Sequence, residues 1–297
     1  MQFLDMKVKI MTENRDFFYV KMRDGKSLPV FAYKSPHKTN ATVILIHGIT
    51  AEQNALQQLA QRLQPNVNVF IPILRGYGDQ DGRGDISYFG QYDHDLIDVA
   101  KSVNNQGYDR IFWAGHSMGC ANLLRLLENN LVKSEGFLFL SPFFHPSLKL
   151  YKYQGRQETK QEDLYKLKLF KIISLATLMK VGVYSWTNSK VAIVPDEFTE
   201  NNSLHLSFRL LLSRFIENAK QIHLSKANAP LLTLIGSNDE VTDASKLQAW
   251  WEKQTSHQCT IVQDEDHNTI LHCDETIRNI TNWLKKSIQL DHKHTVT

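Results

Sequence analysis

The sequence has few cysteines and almost no excess of charge of either sign. Its 297 residues include three cysteines, Cys120, Cys259 and Cys273, an odd number that is too small for a disulfide framework. This use of cysteine fits a reducing compartment, so we expect a cytoplasmic protein. Lys and Arg number 34 against 31 Asp and Glu, and the resulting net charge of +3 does not indicate a nucleic-acid partner.

Long apolar runs are also missing. The longest, residues 172–183, contains Lys180 and is shorter than the roughly 20 residues that a transmembrane helix needs. The first seven residues carry charge where a signal peptide would have an apolar core. We therefore expect no transmembrane segment, and leave open a transient contact with a lipid surface and the oligomeric state. The His-Lys-His at residues 292–294 is interpreted as part of the tail, and we expect neither metal nor cofactor.

The composition is that of a folded globular protein. Hydrophobic residues make up 42% and charged residues 22% of the chain, which excludes disordered, collagen-like and coiled-coil proteins. The length allows one large α/β domain or two small ones.

Strand-like and helix-like runs alternate along most of the chain. This alternation predicts a mostly parallel central sheet with helices on both faces. We predict strands over residues 16–22, 28–33, 41–46, 67–74, 110–114, 136–140, 230–235 and 260–262, and helices over residues 51–63, 86–103, 120–131, 244–253 and 276–288. The run 41–46 is almost wholly apolar, as expected for a strand that is buried on both faces.

The alternation stops between residues 143 and 229. Apolar residues at helical spacing predict helices over residues 162–179 and 204–222, with residues 191–195 extended between them. We therefore predict a core formed by residues 1–142 and 230–297, and a mostly helical insertion over residues 143–229.

The most informative motif is Gly115-His116-Ser117-Met118-Gly119, which follows a predicted strand and precedes a predicted helix. A sharp strand-to-helix turn exposes the central serine hydroxyl, and its crowded backbone requires small residues two positions on either side. Ser117 is therefore the candidate nucleophile. The alternative is an ordinary junction between a strand and a helix, with an inert serine.

A serine nucleophile needs a base, and the base needs an acid that orients it. In this type of turn the chain order is serine, acid, histidine, and both partners should follow strands. Asp239 follows the strand that ends near residue 235, and His267 follows the strand that ends at residue 262. We favour these two residues. Their rivals are Glu240, Asp243 and Asp266 for the acid, and His257 and His272 for the base.

Acyl transfer also requires donors for the oxyanion of the intermediate. The expected donors are the backbone N–H after the nucleophile and one from the loop after an earlier strand, here Met118 and Ile49. We interpret His116 as structural. Arg75-Gly76-Tyr77-Gly78 is interpreted as a structural turn, because it lacks the Lys-Ser/Thr end of a phosphate-binding loop.

These motifs together resemble the α/β-hydrolase fold, and more narrowly its monoacylglycerol lipase/lysophospholipase-like branch of serine aminopeptidase S33 type. The matching stretches are residues 43–48, 75–78, 115–119, 236–241 and 266–267. The resemblance implies a Ser117–Asp239–His267 triad with Ile49 and Met118 as oxyanion donors, and a cap formed by residues 143–229. The chain departs from the family pattern at Cys120, where a second glycine is usual, and the cap matches no pattern that identifies a substrate.

The resulting hypothesis is a serine hydrolase that cleaves carboxylic esters of lipid-like or other acyl substrates through an acyl-enzyme. Thioesterase, serine aminopeptidase or acyltransferase chemistry would use the same triad, and a non-catalytic binding protein is the alternative from another class. Some apolar residues of the insertion should face the cleft, although most should pack on the core. The candidates are Leu164, Leu167, Ile172, Leu175, Phe208, Leu211, Leu212 and Phe215. The basic residues Lys149, Lys152, Arg156 and Lys160 could attract anionic or interfacial substrates, but we favour a solvated face for them.

Overall fold

An eight-stranded sheet forms the centre of the molecule. The computed structural model describes residues 16–50, 53–78, 82–152, 166–196, 203–216, 222, 224 and 229–294. In chain order the strands are β1 (Asp16–Lys21), β2 (Ser27–Tyr33), β3 (Ala41–Ile46), β4 (Asn68–Pro72), β5 (Arg110–His116), β6 (Gly136–Leu140), β7 (Lys166–Leu167), β8 (Lys190–Val194), β9 (Leu204–Ser207), β10 (Leu231–Gly236) and β11 (Cys259–Val262).

The central sheet has the order β1-β2-β4-β3-β5-β6-β10-β11. The β1–β2 and β2–β4 pairs are antiparallel, and every later pair in this order is parallel. β3 and β6 are buried along their whole length, as strands covered on both faces must be. The mostly parallel sheet is confirmed.

Helices cover the two faces of this sheet. Those on the sheet are α1 (Gln53–Leu63), α2 (Gln91–Asn105), α3 (Gly119–Glu128), α6 (Ala244–Gln254) and α7 (Asp274–His294), whereas α4 (Leu169–Lys180) and α5 (Phe208–Ser213) lie against β8 and β9. One apolar core holds Leu59 of α1 and Leu284 of α7. The other holds Leu96 of α2, Leu123 of α3 and Trp251 of α6. Helices on both faces are thus confirmed.

The insertion differs from its sequence prediction. Residues 204–222 were expected to be one helix, but β9 and then the short α5 occupy residues 204–213. β9 pairs with β8, and β8 with β7, to form a three-stranded antiparallel sheet. Residues 162–165 of the other predicted helix lie outside the described residues, and the helix that follows begins at Leu169. The division of the chain into core and insertion stays a prediction.

The order of strands brings four loops together at the carboxyl edge of the sheet. These loops follow β3, β5, β10 and β11, all of which run in the same direction. They carry every residue that the motifs predicted for chemistry, because groups at the ends of parallel strands meet at one edge. Within the described part of the chain, no helix is both long and apolar enough to cross a membrane.

Candidate active site

Ser117 occupies a strained turn between β5 and α3. Its φ of 53° lies in the left-handed region, which costs energy for a residue with a side chain. The turn is held by the Ser117 N–H, which donates to the Leu140 carbonyl at 3.0 Å. A Cβ on Gly119 would collide with the backbone of Ile46, and one on Gly115 would lie 2.8 Å from the Gly119 carbonyl carbon. Only glycine fits at these two positions, which explains the spacing of the motif.

Cys120 fits the turn without disturbing it. Its buried thiol donates to the Gly115 carbonyl with an Sγ–O distance of 3.0 Å. Burial raises the pKa of this thiol far above its usual value, so it stays protonated and unreactive. Cys120, which stands where the family usually has glycine, therefore adds a thiol that donates a hydrogen bond to the backbone two residues before Ser117.

Asp239 and His267 form a buried pair. Asp239 Oδ2 lies 2.9 Å from His267 Nδ1, and Asp239 Oδ1 accepts from the N–H groups of Val241 and Thr242 at 2.9 and 2.7 Å. The bond to Asp239 puts a proton on Nδ1 and leaves Nε2 as the free position of the imidazole. This is the arrangement that a histidine base requires.

Electrostatics within the pair favours its charged form. Burial alone would lower the pKa of His267, but the charge and hydrogen bond of Asp239 raise it above its usual 6.5. Burial likewise opposes ionisation of Asp239, yet the charge and hydrogen bond of His267 and the Thr242 N–H lower the pKa of this carboxyl. Asp239 can therefore stabilise an imidazolium on His267.

The other candidate carboxylates accept hydrogen bonds from backbone N–H groups instead of from the imidazole of His267. Glu240 Oε2 accepts from the His267 N–H at 3.0 Å. Asp243 caps α6 by accepting from the Lys246 N–H at 3.1 Å. Asp266 accepts from the N–H groups of the two residues after His267. Among these acids, only Asp239 reaches the imidazole of His267.

Two residues support the pair in ways that the sequence motifs did not indicate. The ring of His116 lies 5.0 Å from that of His267, and its Nε2–H donates to the His267 carbonyl at 2.8 Å. Lys152, expected on a solvated face, donates through Nζ to the Asp239 carbonyl at 2.5 Å. Because Lys152 and Asp239 lie 87 residues apart, no local sequence pattern predicts this contact.

The loop after β3 lies against Ser117. A Cβ on Gly48 would be 3.2 Å from the Ser117 Cβ and 3.7 Å from its Oγ. Within the described residues, the N–H groups of Ile49 and Met118 make no hydrogen bond. Unpaired donors beside a nucleophile can receive a negatively charged oxygen.

The same loop is fixed by the neutral imidazole of His47. Its Nδ1–H donates to the Gly48 carbonyl at 2.8 Å, and its Nε2 accepts from the Leu74 N–H at 3.0 Å. Burial, followed by the charge of Arg214, lowers the pKa of His47 to about 3. His47 is therefore neutral at physiological pH, and its tautomer is set by these two partners.

A cavity of about 230 Å³ opens above Ser117. Its polar lining includes Thr50, His116, Ser117, His267 and Asn268, and its apolar lining comes from both the core and the insertion. The apolar residues are Ile49, Met118, Phe143, Pro146, Leu167, Leu169, Ile172, Leu211, Phe215 and Val241. No Asp, Glu, Lys or Arg is among the described residues that line it.

The insertion contributes to this cavity partly as expected. Of the apolar residues named from the sequence, Leu167, Ile172, Leu211 and Phe215 line it. Leu175 and Phe208 are buried in the apolar core instead, and Leu212 is partly buried against it. Leu164 lies outside the described residues.

Comparison with known proteins identifies the family. Residues 37–268 match the family Hydrolase_4, described as serine aminopeptidase, S33. This match covers well over half of the chain. The chain belongs to this S33 family. The resemblance to this branch of the α/β-hydrolase fold is thereby confirmed, and the chain is a hydrolase.

One characterised relative of this S33 hydrolase is an esterase. The chain is 28% identical over 146 residues to the pimeloyl-[acyl-carrier protein] methyl ester esterase of Pectobacterium carotovorum subsp. carotovorum (strain PC1). The match covers 47% of this chain and 54% of that protein. The S33 hydrolase thus aligns with about half the length of this relative.

Solved structures share the fold over nearly the whole chain. A soluble variant of the Saccharomyces cerevisiae monoglyceride lipase, in complex with a substrate analogue, has a TM-score of 0.67 at 16% identity, covering 94% of this chain and 96% of that one. A Bacillus subtilis carboxylesterase has a TM-score of 0.60 at 14% identity, covering 95% and 96%. At these identities the likeness establishes the fold.

Proposed function

We propose that this S33 hydrolase is a carboxylic ester hydrolase whose substrates carry an apolar, lipid-like acyl group. The observation that carries this proposal is the cavity, in which Ser117 and His267 meet walls that are apolar and, in the described residues, uncharged. Such walls favour hydrocarbon and leave a charged group without a partner. The esterase activity of the Pectobacterium relative supports the same reaction class.

The proposed reaction begins with Ser117 Oγ attacking the ester carbonyl carbon while Nε2 of His267 takes its proton. Asp239 stabilises the imidazolium, and the N–H groups of Ile49 and Met118 bind the oxyanion. The carbon–oxygen bond to the alcohol then breaks, and His267 returns the proton to the leaving oxygen. Water attacks the acyl-enzyme with the same base and releases the acid.

The aminopeptidase alternative is less well supported despite the name of the family. An aminopeptidase must bind the positively charged amine of its substrate, which needs a carboxylate close to the nucleophile. No Asp or Glu lines the described cavity, and Asp239 is committed to His267. A thioester differs from an ester mainly in its leaving group, so thioesterase activity is the closer alternative.

The outer side of the cavity suggests how such substrates are presented. Leu169, Phe170 and Ile173 of α4 expose 60%, 90% and 63% of their surface, and Leu169 also lines the cavity. Exposed apolar side chains next to a cavity favour substrates delivered from an apolar phase. Transient contact with lipid therefore forms part of the proposal.

The nucleophile is tested by covalent labelling. A fluorophosphonate should phosphonylate Ser117, and Ser117→Ala should lose both labelling and the hydrolysis of p-nitrophenyl esters. Ser174→Ala is the matched control and should retain both, because Ser174 is an exposed serine on α4 whose side chain bonds, within the described residues, only to the Phe170 carbonyl. Labelling that survives Ser117→Ala would refute the assignment, and faster turnover of aminoacyl anilides than of esters would refute the substrate class.

A further inference from the structure

Arg214 is a fully buried arginine that reaches the loop beside Ser117. It follows α5 in the insertion, none of its surface is exposed, and its Nη2–H donates to the His47 carbonyl at 2.6 Å. Its guanidinium carbon lies 5.3 Å from the ring centre of Tyr77 and 5.6 Å from that of Tyr92. Two aromatic rings and one carbonyl therefore surround this cation.

The charge of Arg214 has no counterion in the described part of the chain. No carboxylate pairs with it, and its Nε and Nη1 atoms are buried without a hydrogen-bond partner. By contrast, Arg209 of the preceding helix α5 pairs with Asp85 at 2.6 Å, and Arg125 pairs with Asp93 at 2.6 Å. An uncompensated buried cation costs free energy, so its presence beside the turn at Ser117 points to a role beyond packing.

The contacts of Arg214 and His47 fix two successive peptide groups. Arg214 holds the carbonyl of the peptide between His47 and Gly48. The His47 Nδ1–H holds the carbonyl of the next peptide, between Gly48 and Ile49. Because a peptide group is planar and trans, holding the Gly48 carbonyl points the Ile49 N–H the opposite way.

From this geometry we infer that Arg214 is a positioning residue for the oxyanion donor Ile49, supplied to the core by the insertion. It anchors the turn from which the Ile49 N–H projects, and its unpaired charge favours the negative charge that develops on the substrate oxygen. The inference rests on the proposed function, in which Ile49 binds that oxygen.

The need to attach the insertion to the core does not by itself explain the buried position of Arg214. The same segment is already joined to the core by the Arg209–Asp85 pair, by the Ser207 N–H donating to the Gly84 carbonyl at 2.7 Å, and by Arg125 donating to the Phe215 carbonyl at 3.1 Å. Arg214 alone in this group contacts the turn beside Ser117. Its removal should therefore affect catalysis more than the other contacts do.

The test compares Arg214→Met with Arg209→Met as the matched control. Both remove an arginine that joins residues 208–214 to the core, but only the first loses contact with His47. We expect Arg214→Met to lower kcat about 10- to 100-fold with little change in KM, since loss of a whole oxyanion donor costs about 10²–10³ in kcat. Affinity for a trifluoromethyl ketone, which forms a tetrahedral adduct with the serine, should fall by a similar factor. Arg209→Met should lower Tm and change neither quantity.

Hydrogen–deuterium exchange gives a readout that does not depend on any substrate. Exchange in residues 45–50 should accelerate in Arg214→Met and stay unchanged in Arg209→Met. Unchanged exchange there, or an equal loss of kcat in both variants, would overturn the inference. If the wild-type chain hydrolyses no ester and binds no fluorophosphonate, the proposed function fails, while exchange still decides whether Arg214 holds the turn.

Arg214→Lys covers the case in which the methionine variant does not fold. Lysine keeps the charge but lacks the rigid fork of guanidinium donors. It should retain more kcat than any neutral replacement that folds and show intermediate exchange in residues 45–50. The inference would be overturned if Arg214→Lys kept both the wild-type kcat and the wild-type exchange and Arg214→Gln also kept the wild-type kcat.

Discussion

At the scale of single residues, the protonation of His267 is decided by a balance between burial and Asp239. The imidazole is almost fully buried, and burial by itself would favour its neutral form. The carboxylate at 2.9 Å reverses that preference and raises the pKa of His267. A base must be neutral before it accepts a proton, so under the proposed mechanism this balance sets the acidic limb of the pH profile.

Replacing Asp239 with Asn should therefore change both the rate and the pH profile. We expect kcat to fall on the order of 10⁴-fold, because the imidazole loses its orienting carboxylate. In the wild type the acidic limb of kcat/KM should lie above pH 6.5. In Asp239→Asn it should move to lower pH, since burial still lowers the pKa of His267 while the two largest causes that raise it, the charge and the hydrogen bond of Asp239, are removed. Ester hydrolysis measured between pH 4.5 and 9 checks both effects.

Asp266→Asn is the control for this change. Asp266 adjoins His267 in sequence, but its carboxylate holds the N–H groups of Asn268 and Thr269. We expect less than a tenfold loss of kcat, in line with a role in the turn alone. Equal losses in the two variants would mean that the acid is misassigned.

The roles proposed for these residues could be inferred from the sequence to different degrees. Ser117, Asp239 and His267 each follow a strand in a known chain order, so a single sequence indicates them. Glu240 and His116 lie next to these residues, yet their bonds to the backbone of His267 depend on tertiary contacts. Arg214 lies 167 positions from its partner His47, and no local pattern connects the two.

At the scale of elements, strands and helices of the core followed their sequence patterns closely. β3 and β6 have the predicted bounds. A short apolar run between turn residues is most stable as a central strand, where both of its faces are buried. In the insertion the helical spacing from residue 204 was misleading. Leu204–Ser207 instead pairs with β8, so tertiary pairing overrode a local helical preference.

One helix end offers a quantitative test. Asp243 caps α6 through the Lys246 N–H, and that bond is the main cause of the lowered pKa of this carboxyl. Asp243→Ala should reduce the free energy of unfolding by about 1 kcal/mol at pH 7. Because the pKa is lower in the folded state, this contribution is present above pH 3.8 and is lost as pH falls through the lowered value. Urea unfolding at several pH values measures it.

Lys246→Ala separates the cap from the ion pair at the same site. It removes an exposed ammonium that lies 3.1 Å from Asp243 but keeps the backbone N–H that the cap uses. Its cost should be well below that of Asp243→Ala, since exposed ion pairs contribute little. Both variants should keep ester hydrolysis, and a loss of kcat in Asp243→Ala comparable to that in Asp239→Asn would reopen the choice of acid.

At the scale of the whole molecule, the cavity is lined by residues from both the predicted core and the predicted insertion. Ile49 and Val241 come from the predicted core. Phe143, Leu169 and Ile172 of α4, Leu211 of α5 and Phe215 just after α5 come from the predicted insertion. The sequence predicted that some apolar residues of the insertion would face the cleft. It could not say which, because α4 is apolar on most of its circumference and its spacing identifies no single buried side.

The joint cavity leads to a dependence of rate on acyl-chain length. Each methylene that enters an apolar cavity contributes about 0.8 kcal/mol, or about fourfold in kcat/KM when fully expressed. We expect kcat/KM to rise from acetyl to medium-chain p-nitrophenyl esters and then level off when the cavity is filled. Neighbouring isoleucines on α4 provide the matched pair for a test. Ile172 lines the cavity, whereas Ile173 exposes 63% of its surface and does not line it.

Ile172→Ala should flatten the rise for longer chains and leave acetyl-ester hydrolysis unchanged, because only longer chains reach that wall. Ile173→Ala should keep the wild-type profile, since it removes the same atoms from a position that faces solvent. Initial rates below KM across the ester series, measured for the three proteins, decide the matter. If acetyl esters are the best substrates and Ile172→Ala leaves the profile unchanged, the apolar walls do not bind the acyl chain, and the leaving-group side of the substrate must occupy them.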